Sequence, residues 1–154
     1  MTKNLLMIRK LLFGALTIVV VMYFAAMAIP INPDEQRPGT RLPGNLVTDT
    51  DVDWSFMQPR QKVYVQTNTW YGIPHSVTTV SFVIDGELYI PCGWCATKRW
   101  PKNVAADPDV LVKVGESLYP RRAVEVTEST IVQDMFARMD MGSEGVAVYR
   151  MDPR

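Results

Sequence analysis

Histidine and cysteine are nearly missing from this 154-residue chain, which carries one His and two Cys. A structural zinc site usually takes four protein ligands. His75, Cys92 and Cys95 fall short of that set, so no metal centre is expected. Net charge is missing too, with 16 Lys and Arg balancing 16 Asp and Glu. From Asp49 onward 14 acidic residues stand against 11 basic ones, and no basic stripe runs through them. Most affinity for nucleic acid comes from neutralised phosphates, so a nucleic-acid partner is set aside. Internal repeats are absent as well, which excludes a repeat architecture.

Charge disappears altogether between Leu11 and Ile29, a run of 19 residues whose polar members are Thr17 and Tyr23. A helix of about 20 apolar residues crosses a bilayer core of roughly 30 Å. Two readings compete: a permanent single-pass anchor, or a signal peptide cut after Ala26-Met27-Ala28. The run exceeds the usual apolar core of a signal peptide, roughly 7 to 15 residues, which favours the anchor. Lys3, Arg9 and Lys10 precede the run, and no base follows it until Arg37. Positive charge stays in the cytoplasm. Residues 1–10 are therefore expected to be cytoplasmic and 11–29 to form a transmembrane helix or uncleaved signal anchor. The C-terminal domain should stand outside the plasma (inner) membrane, in the periplasm of a Gram-negative cell.

Residues 30–53 carry Pro30, Pro33, Pro38 and Pro43 with little apolar periodicity. Proline fixes φ and removes a donor, so this stretch reads as an extended tether rather than a packed element. Residues 54–154 form the domain, and Trp54 and Phe56 are placed to pin the end of the tether. Val63–Thr67 and Val77–Ile84 are β-branched and aromatic. Asp85-Gly86 before Leu88-Tyr89-Ile90 is the strongest hairpin signal in the chain. Asn68 to His75 reads as a loop punctuated by Gly72 and Pro74.

A short helix is expected from Arg99 toward Val110, followed by a strand at Val110–Val114 and a Gly115-Glu116 turn. Ser117–Thr127 alternates as a half-buried strand, in which Pro120 demands an edge or a bulge. Ile131, Val132, Met135, Phe136 and Met139 fall at helical spacing behind Ser129 or Thr130. A last strand at Gly145–Tyr149 would close the sheet. The fold class is mainly β (α+β): a small barrel with a short internal helix and a C-terminal helix, preceded by one N-terminal transmembrane helix.

One string is more specific than the rest. Thr67 leads through Gly72 and Pro74 into a Thr-rich strand, then the Asp-Gly hairpin. After it come Trp100, Asn103, Ala106, Pro108 and Val110, in a Trp-x-x-Asn and Ala-x-Pro-x-Val pattern. Over roughly Lys62 to Met139 this resembles the deazaflavin-dependent nitroreductases, relatives of the pyridoxamine phosphate oxidase family of FMN-binding split β-barrels. The resemblance implies a split barrel with a deazaflavin or FMN ring held against it. Phosphates would be held by a basic loop between the first two strands. The corresponding loop here, Asn68 to Ser76, has no Lys or Arg.

The candidate site residues follow. His75 could polarise a substrate, donate a proton or ligate haem iron; a solvated loop histidine is the plainer reading. Trp70, Tyr71, Trp94 and Trp100 offer faces for a planar ligand, with burial in the core as the competing reading, the better one for Trp100. Ser76 and the main chain are the polar groups left in the loop beside His75. Lys98, Arg99 and Lys102 could replace its missing phosphate donors, although a basic cluster is more often a solvated helix face. Asn103 belongs to the motif that opens the helix. Arg121 and Arg122 cannot both face a pocket, since neighbours on a strand point oppositely. Cys92 and Cys95 form a Cys-x-x-Cys pair. Antiparallel strands precede it rather than a βαβ unit, so a structural bridge or an unpaired couple is favoured over thiol-disulfide catalysis.

These readings converge on a membrane-tethered oxidoreductase-like barrel. It would pass hydride or electrons to a small or quinone-like acceptor in or near the bilayer. Two alternatives stay open: a cofactor-free accessory subunit of a membrane complex, and a thiol redox protein. A homodimer is a further partner to weigh, because split barrels often pair through a sheet face.

Overall fold

The computed structural model describes residues 2–139 and 145–154. Its first element, α1 (Thr2–Ala28), contains a stretch from Leu6 to Ala28 that is long and apolar enough to cross a membrane. The rest is built around a six-stranded antiparallel barrel of β2 (Gln61–Thr67), β3 (His75–Ile84), β4 (Glu87–Cys92), β5 (Asp109–Val114), β6 (Ser117–Glu125) and β7 (Ala147–Pro153). Neighbours run β6-β5-β2-β3-β4-β7, and β7 pairs back onto β6 to close the ring. A two-residue strand, β1 (Asn45–Leu46), lies parallel to the start of β6.

Strand alternation fills the interior. Val63 and Val65 of β2, Leu88, Ile90 and Cys92 of β4, Val110, Val112 and Val114 of β5, and Tyr149 and Met151 of β7 share one core. Burying an aliphatic side chain is worth about 1.5–3 kcal/mol, so this core dominates the stability of the domain. On the outside, Phe82, Tyr89 and Val148 meet Met135 of α3 (Ser129–Met139), with Ile131 and Val132 packed alongside. The side chains of Phe136 and Met139, expected on the same helix face, lie outside the described residues. The β3–β4 hairpin turns through Asp85 and Gly86, both at positive φ, as the Asp-Gly signal requires.

Pro120 sits where its strand has least need of a donor. On that side of β6, β1 pairs at Ser117 and Leu118 and β7 begins only at Arg121. The proline occupies the gap between them, a local edge. Trp54 pins the approach to the domain: it is buried in a short 3₁₀ turn, 5.0 Å from the Tyr119 ring, whereas Phe56 is exposed.

Two expectations are corrected. His75 and Ser76 are not loop residues but the first two of β3, paired with Thr67 and Gln66. The proline-rich stretch is extended but packed, because its backbone groups find partners on the barrel. Gly39 and Ser76 exchange both backbone hydrogen bonds, at 2.8 and 3.1 Å, and the Leu42 N–H donates to Gln66 Oε1 at 2.7 Å. Thr78 Oγ1 donates to the Asp34 carbonyl at 3.0 Å. We refer to residues 30–43 as the strap.

Candidate functional site

The barrel is split along β3. Only Phe82–Ile84 pairs with β4, while the residues from His75 to Ser81 have β2 on one side and no β4 on the other. The far half of β4 turns away to pair with β7, Ile90 opposite Tyr149 and Cys92 opposite Ala147. Part of the vacated edge is taken by the strap at Gly39 and Thr78; the remaining gap is a cleft of about 310 Å³. That is near the lower end of the range for small-molecule sites.

His75, Val77 and Thr79 line one wall, Pro91, Cys92 and Gly93 the other, and Thr97 to Trp100 the end. Asp34 to Pro38 of the strap form the rim. Lys98 and Arg99 enter the cleft because a disulfide between Cys92 and Cys95 folds the end of β4 directly into a 3₁₀ turn. From that turn starts α2 (Arg99–Ala106). Trp94, between the two cysteines, is held in the left-handed region at φ 48°, uncommon for a bulky side chain.

Burial, and then the nearby Arg99 guanidinium, lowers the His75 pKa below its ordinary 6.5. At neutral pH the ring is therefore uncharged and offers one donor and one acceptor nitrogen. The Asp34 carboxylate accepts from the Gln36 and Arg37 backbone N–H groups, both at 2.9 Å, and these bonds lower its pKa. Its charge is thus engaged within the strap. The cleft combines walls of mixed polarity and a neutral imidazole with Lys98 and Arg99 at its end, while Asp34, Glu35 and Arg37 bring charge of both signs to the rim; the basic end suits the anionic group of a flat ligand.

The cleft gathers His75, Lys98, Trp100 and Cys92 from the residues expected at the site. Trp70, Tyr71, Ser76, Lys102 and Asn103 do not line it, and each has a physical reason. Trp70 is 95% exposed, on a loop whose Tyr71 carbonyl accepts from the Tyr23 hydroxyl of α1 at 2.6 Å. Ser76 is fully buried and its side chain points toward Gly39. Lys102 lies exposed on α2. Asn103 donates to Thr67 Oγ1 at 2.8 Å, and that hydroxyl donates to the His75 carbonyl at 3.1 Å. Trp100 reaches the cleft only as part of its floor: it is 4% exposed, with its ring 4.9 Å from that of Tyr149 inside the barrel. The Trp-x-x-Asn pattern is thus largely a structural device, in which Trp100 plugs the barrel and Asn103 ties α2 to β2.

Sequence reasoning missed the strap at the rim, since no local pattern pairs Gly39 with Ser76 across 37 residues. It also missed the burial of Arg121, only 1% exposed. Its guanidinium lies 5.2 Å from the Trp54 ring centre and donates to the Thr50 and Pro120 carbonyls. Burial lowers the pKa of that arginine. Arg122, its neighbour, is exposed, as strand alternation requires.

This architecture is the split β-barrel fold of the pyridoxamine phosphate oxidase-like proteins. A putative pyridoxamine 5'-phosphate oxidase from Listeria innocua superposes with a TM-score of 0.52 at 16% identity, over 61% of this chain and 84% of the other. The general stress protein 26 of Bacillus anthracis str. Sterne gives 0.51 at 18% identity, over 66% and 85%. A NimC/NimA family protein from Clostridium acetobutylicum gives 0.51 at 14% identity, over 61% and 74%. At these identities the likeness is one of fold. No protein-family model and no curated protein matches the sequence.

Proposed function

We propose that the protein is a membrane-anchored, oxidoreductase-like split barrel that binds a planar redox cofactor of the flavin or deazaflavin class. The observation that carries this reading is the cleft in the split of the barrel, where Val77 and Pro91 meet Lys98, Arg99 and an uncharged His75. These residues fit such a ligand: Val77 and Pro91 would flank the ring system, and Lys98 and Arg99 would meet a phosphate that the Asn68–Pro74 loop, without Lys or Arg, cannot hold. The cleft's open rim leaves room for a side chain to run outward past the strap. When bound, a cofactor of this class supplies hydride or electron transfer.

The chain's own groups do the rest. His75, uncharged at neutral pH, would orient a ligand through its ring nitrogens, and can relay a proton by accepting one at its free nitrogen as it gives up the one on the other, so that the ring ends neutral. Leu6–Ala28 anchors the barrel with its C-terminal domain outside the cytoplasm, which makes a quinone-like acceptor dissolved in the bilayer a sensible partner.

A second reading is favoured by one observation: residues 68–74 of the loop carry no Lys or Arg and the strap already fills part of the β3 edge. In that case the barrel is a cofactor-free accessory subunit of a membrane complex. The absorption spectrum of the full chain, extracted from its native membrane in mild detergent, separates the two. The proposal expects a bound visible chromophore, or binding of added FMN or deazaflavin that weakens by about a hundredfold or more in a Lys98→Ala/Arg99→Ala chain, as loss of two charge-assisted contacts of about 1.5–3 kcal/mol each would give. A colourless protein that binds neither and co-purifies with a stoichiometric partner would support the accessory reading.

A further inference from the structure

The loop between β2 and β3 contacts both the cleft's Arg99, whose Nη1 donates to the Tyr71 hydroxyl at 3.3 Å, and α1. The Tyr23 hydroxyl donates to the Tyr71 carbonyl at 2.6 Å. A side chain placed on Gly72 would meet that hydroxyl at 3.1 Å and the Met27 methyl at 3.5 Å, so the loop backbone lies close against the helix. The exit of α1 is also tied down: Thr40 Oγ1 accepts from the Ile31 N–H at 3.1 Å and donates to the Ile29 carbonyl at 2.9 Å. Trp70 stands at the tip, 95% exposed, edge-on to Tyr71 at 5.4 Å.

Tyr23 fixes the depth. It lies five residues before Ala28, the end of the apolar span, or roughly 7 Å along the axis at 1.5 Å per residue. The whole span of 23 residues is then about 34 Å long, a little more than the ~30 Å hydrocarbon core of a bilayer. Centred on that core, the span places Tyr23 about 5 Å inside its outer face, so a peptide group bonded to Tyr23 sits in the outermost layer of the acyl chains, next to the headgroup boundary. Tryptophan favours that boundary, where its ring is buried among lipid and its N–H finds polar partners.

We infer that the tip Trp70-Tyr71-Gly72 is a membrane-contact surface, with the Trp70 indole seated in the outer headgroup zone beside α1, so that the barrel rests on the bilayer at a fixed height. This rests on the anchor reading of α1. The occupant of the surface is the lipid of the membrane that α1 crosses, because the loop and the helix end are joined at one level.

The test uses the full chain in phosphatidylcholine and phosphatidylglycerol vesicles whose acyl chains are brominated either near the headgroup or near the chain end. Tryptophan emission should be quenched more by the shallow bromines, and a Trp70→Phe chain should lose most of that shallow quenching while floating with the vesicles as before. If the wild-type chain does not float, the anchor and this contact both fall. If it floats but shallow quenching is absent, or persists unchanged in Trp70→Phe, the anchor stands and the lipid contact is overturned.

Discussion

The two lengths of β3 solve the same problem in opposite ways. From Phe82 to Ile84 the strand has passed the end of β2, whose pairing stops at Ser81, and takes β4 as its partner instead, while α3 covers the Phe82 face. From His75 to Ser81 it has β2 alone, and its second edge is served by the strap, a segment that precedes the barrel in sequence. A strand edge left bare exposes unpaired N–H and C=O groups. Closing it with another strand would have sealed the barrel. A proline-rich strap instead pairs the Ser76 backbone and engages the Thr78 hydroxyl, and leaves a cleft beside them. The difference teaches that the site is made by what the sheet omits.

The paired part should be costly to damage. Leu88 is fully buried opposite Val83, and Leu88→Ala in the full chain should lose about 3 kcal/mol of unfolding free energy, within the usual range for such cavities. Urea unfolding in detergent followed by fluorescence measures this; a loss below 1 kcal/mol would mean the interior is not packed as described.

The strapped part should be weaker and separable. A side chain on Gly39 would come within 2.6 Å of Pro33 N and Ser76 Oγ, and closer still to the Ile31 carbonyl oxygen. Gly39→Ala should therefore lift the strap from β3 at a cost of about 1–2 kcal/mol, the net worth of two backbone hydrogen bonds. Amide exchange should speed up at Ser76 while Val65, inside the barrel, stays protected. Equal acceleration at both sites would show that strap and barrel are one unit.

The smallest effect concerns pH. In the unfolded chain His75 takes its proton near 6.5, whereas in the fold burial and Arg99 lower that value. Between the two values the unfolded chain binds more protons, so stability is full above pH 6.5 and declines as pH falls through and below it. His75→Asn should flatten this decline in a comparison of unfolding curves between pH 7.5 and 5, values chosen to bracket an ordinary imidazole. An unchanged slope would remove His75 from the buried wall of the cleft.

Much of the barrel was legible because its signals are local. Alternation in Val63–Thr67 and Ser117–Glu125, the Asp85-Gly86 turn, Pro120 at a local edge and the helical spacing of Ile131, Val132 and Met135 each follow from neighbours a few residues apart. The helix at Trp100 was legible too, although its motif proved to be packing and a hydrogen bond to Thr67. What escaped depends on distant pairing. Gly39 looks like a linker glycine until Ser76 is beside it, and Arg121 looks like a surface residue until Trp54 covers it. Trp70 has the composition of a ligand platform, yet its loop is claimed by Tyr23, 47 positions earlier.

Hydrogen exchange on the full chain in detergent, with and without saturating FMN, tests the central claim most directly. If the split is the binding site, added protection should concentrate in His75–Ser81, in Asp34–Pro38 of the strap and in Pro91–Trp100, with the β5–β6 pair unchanged. Protection confined to the Asn68–Pro74 loop or the outer face beneath α3, or none at any concentration, would contradict it.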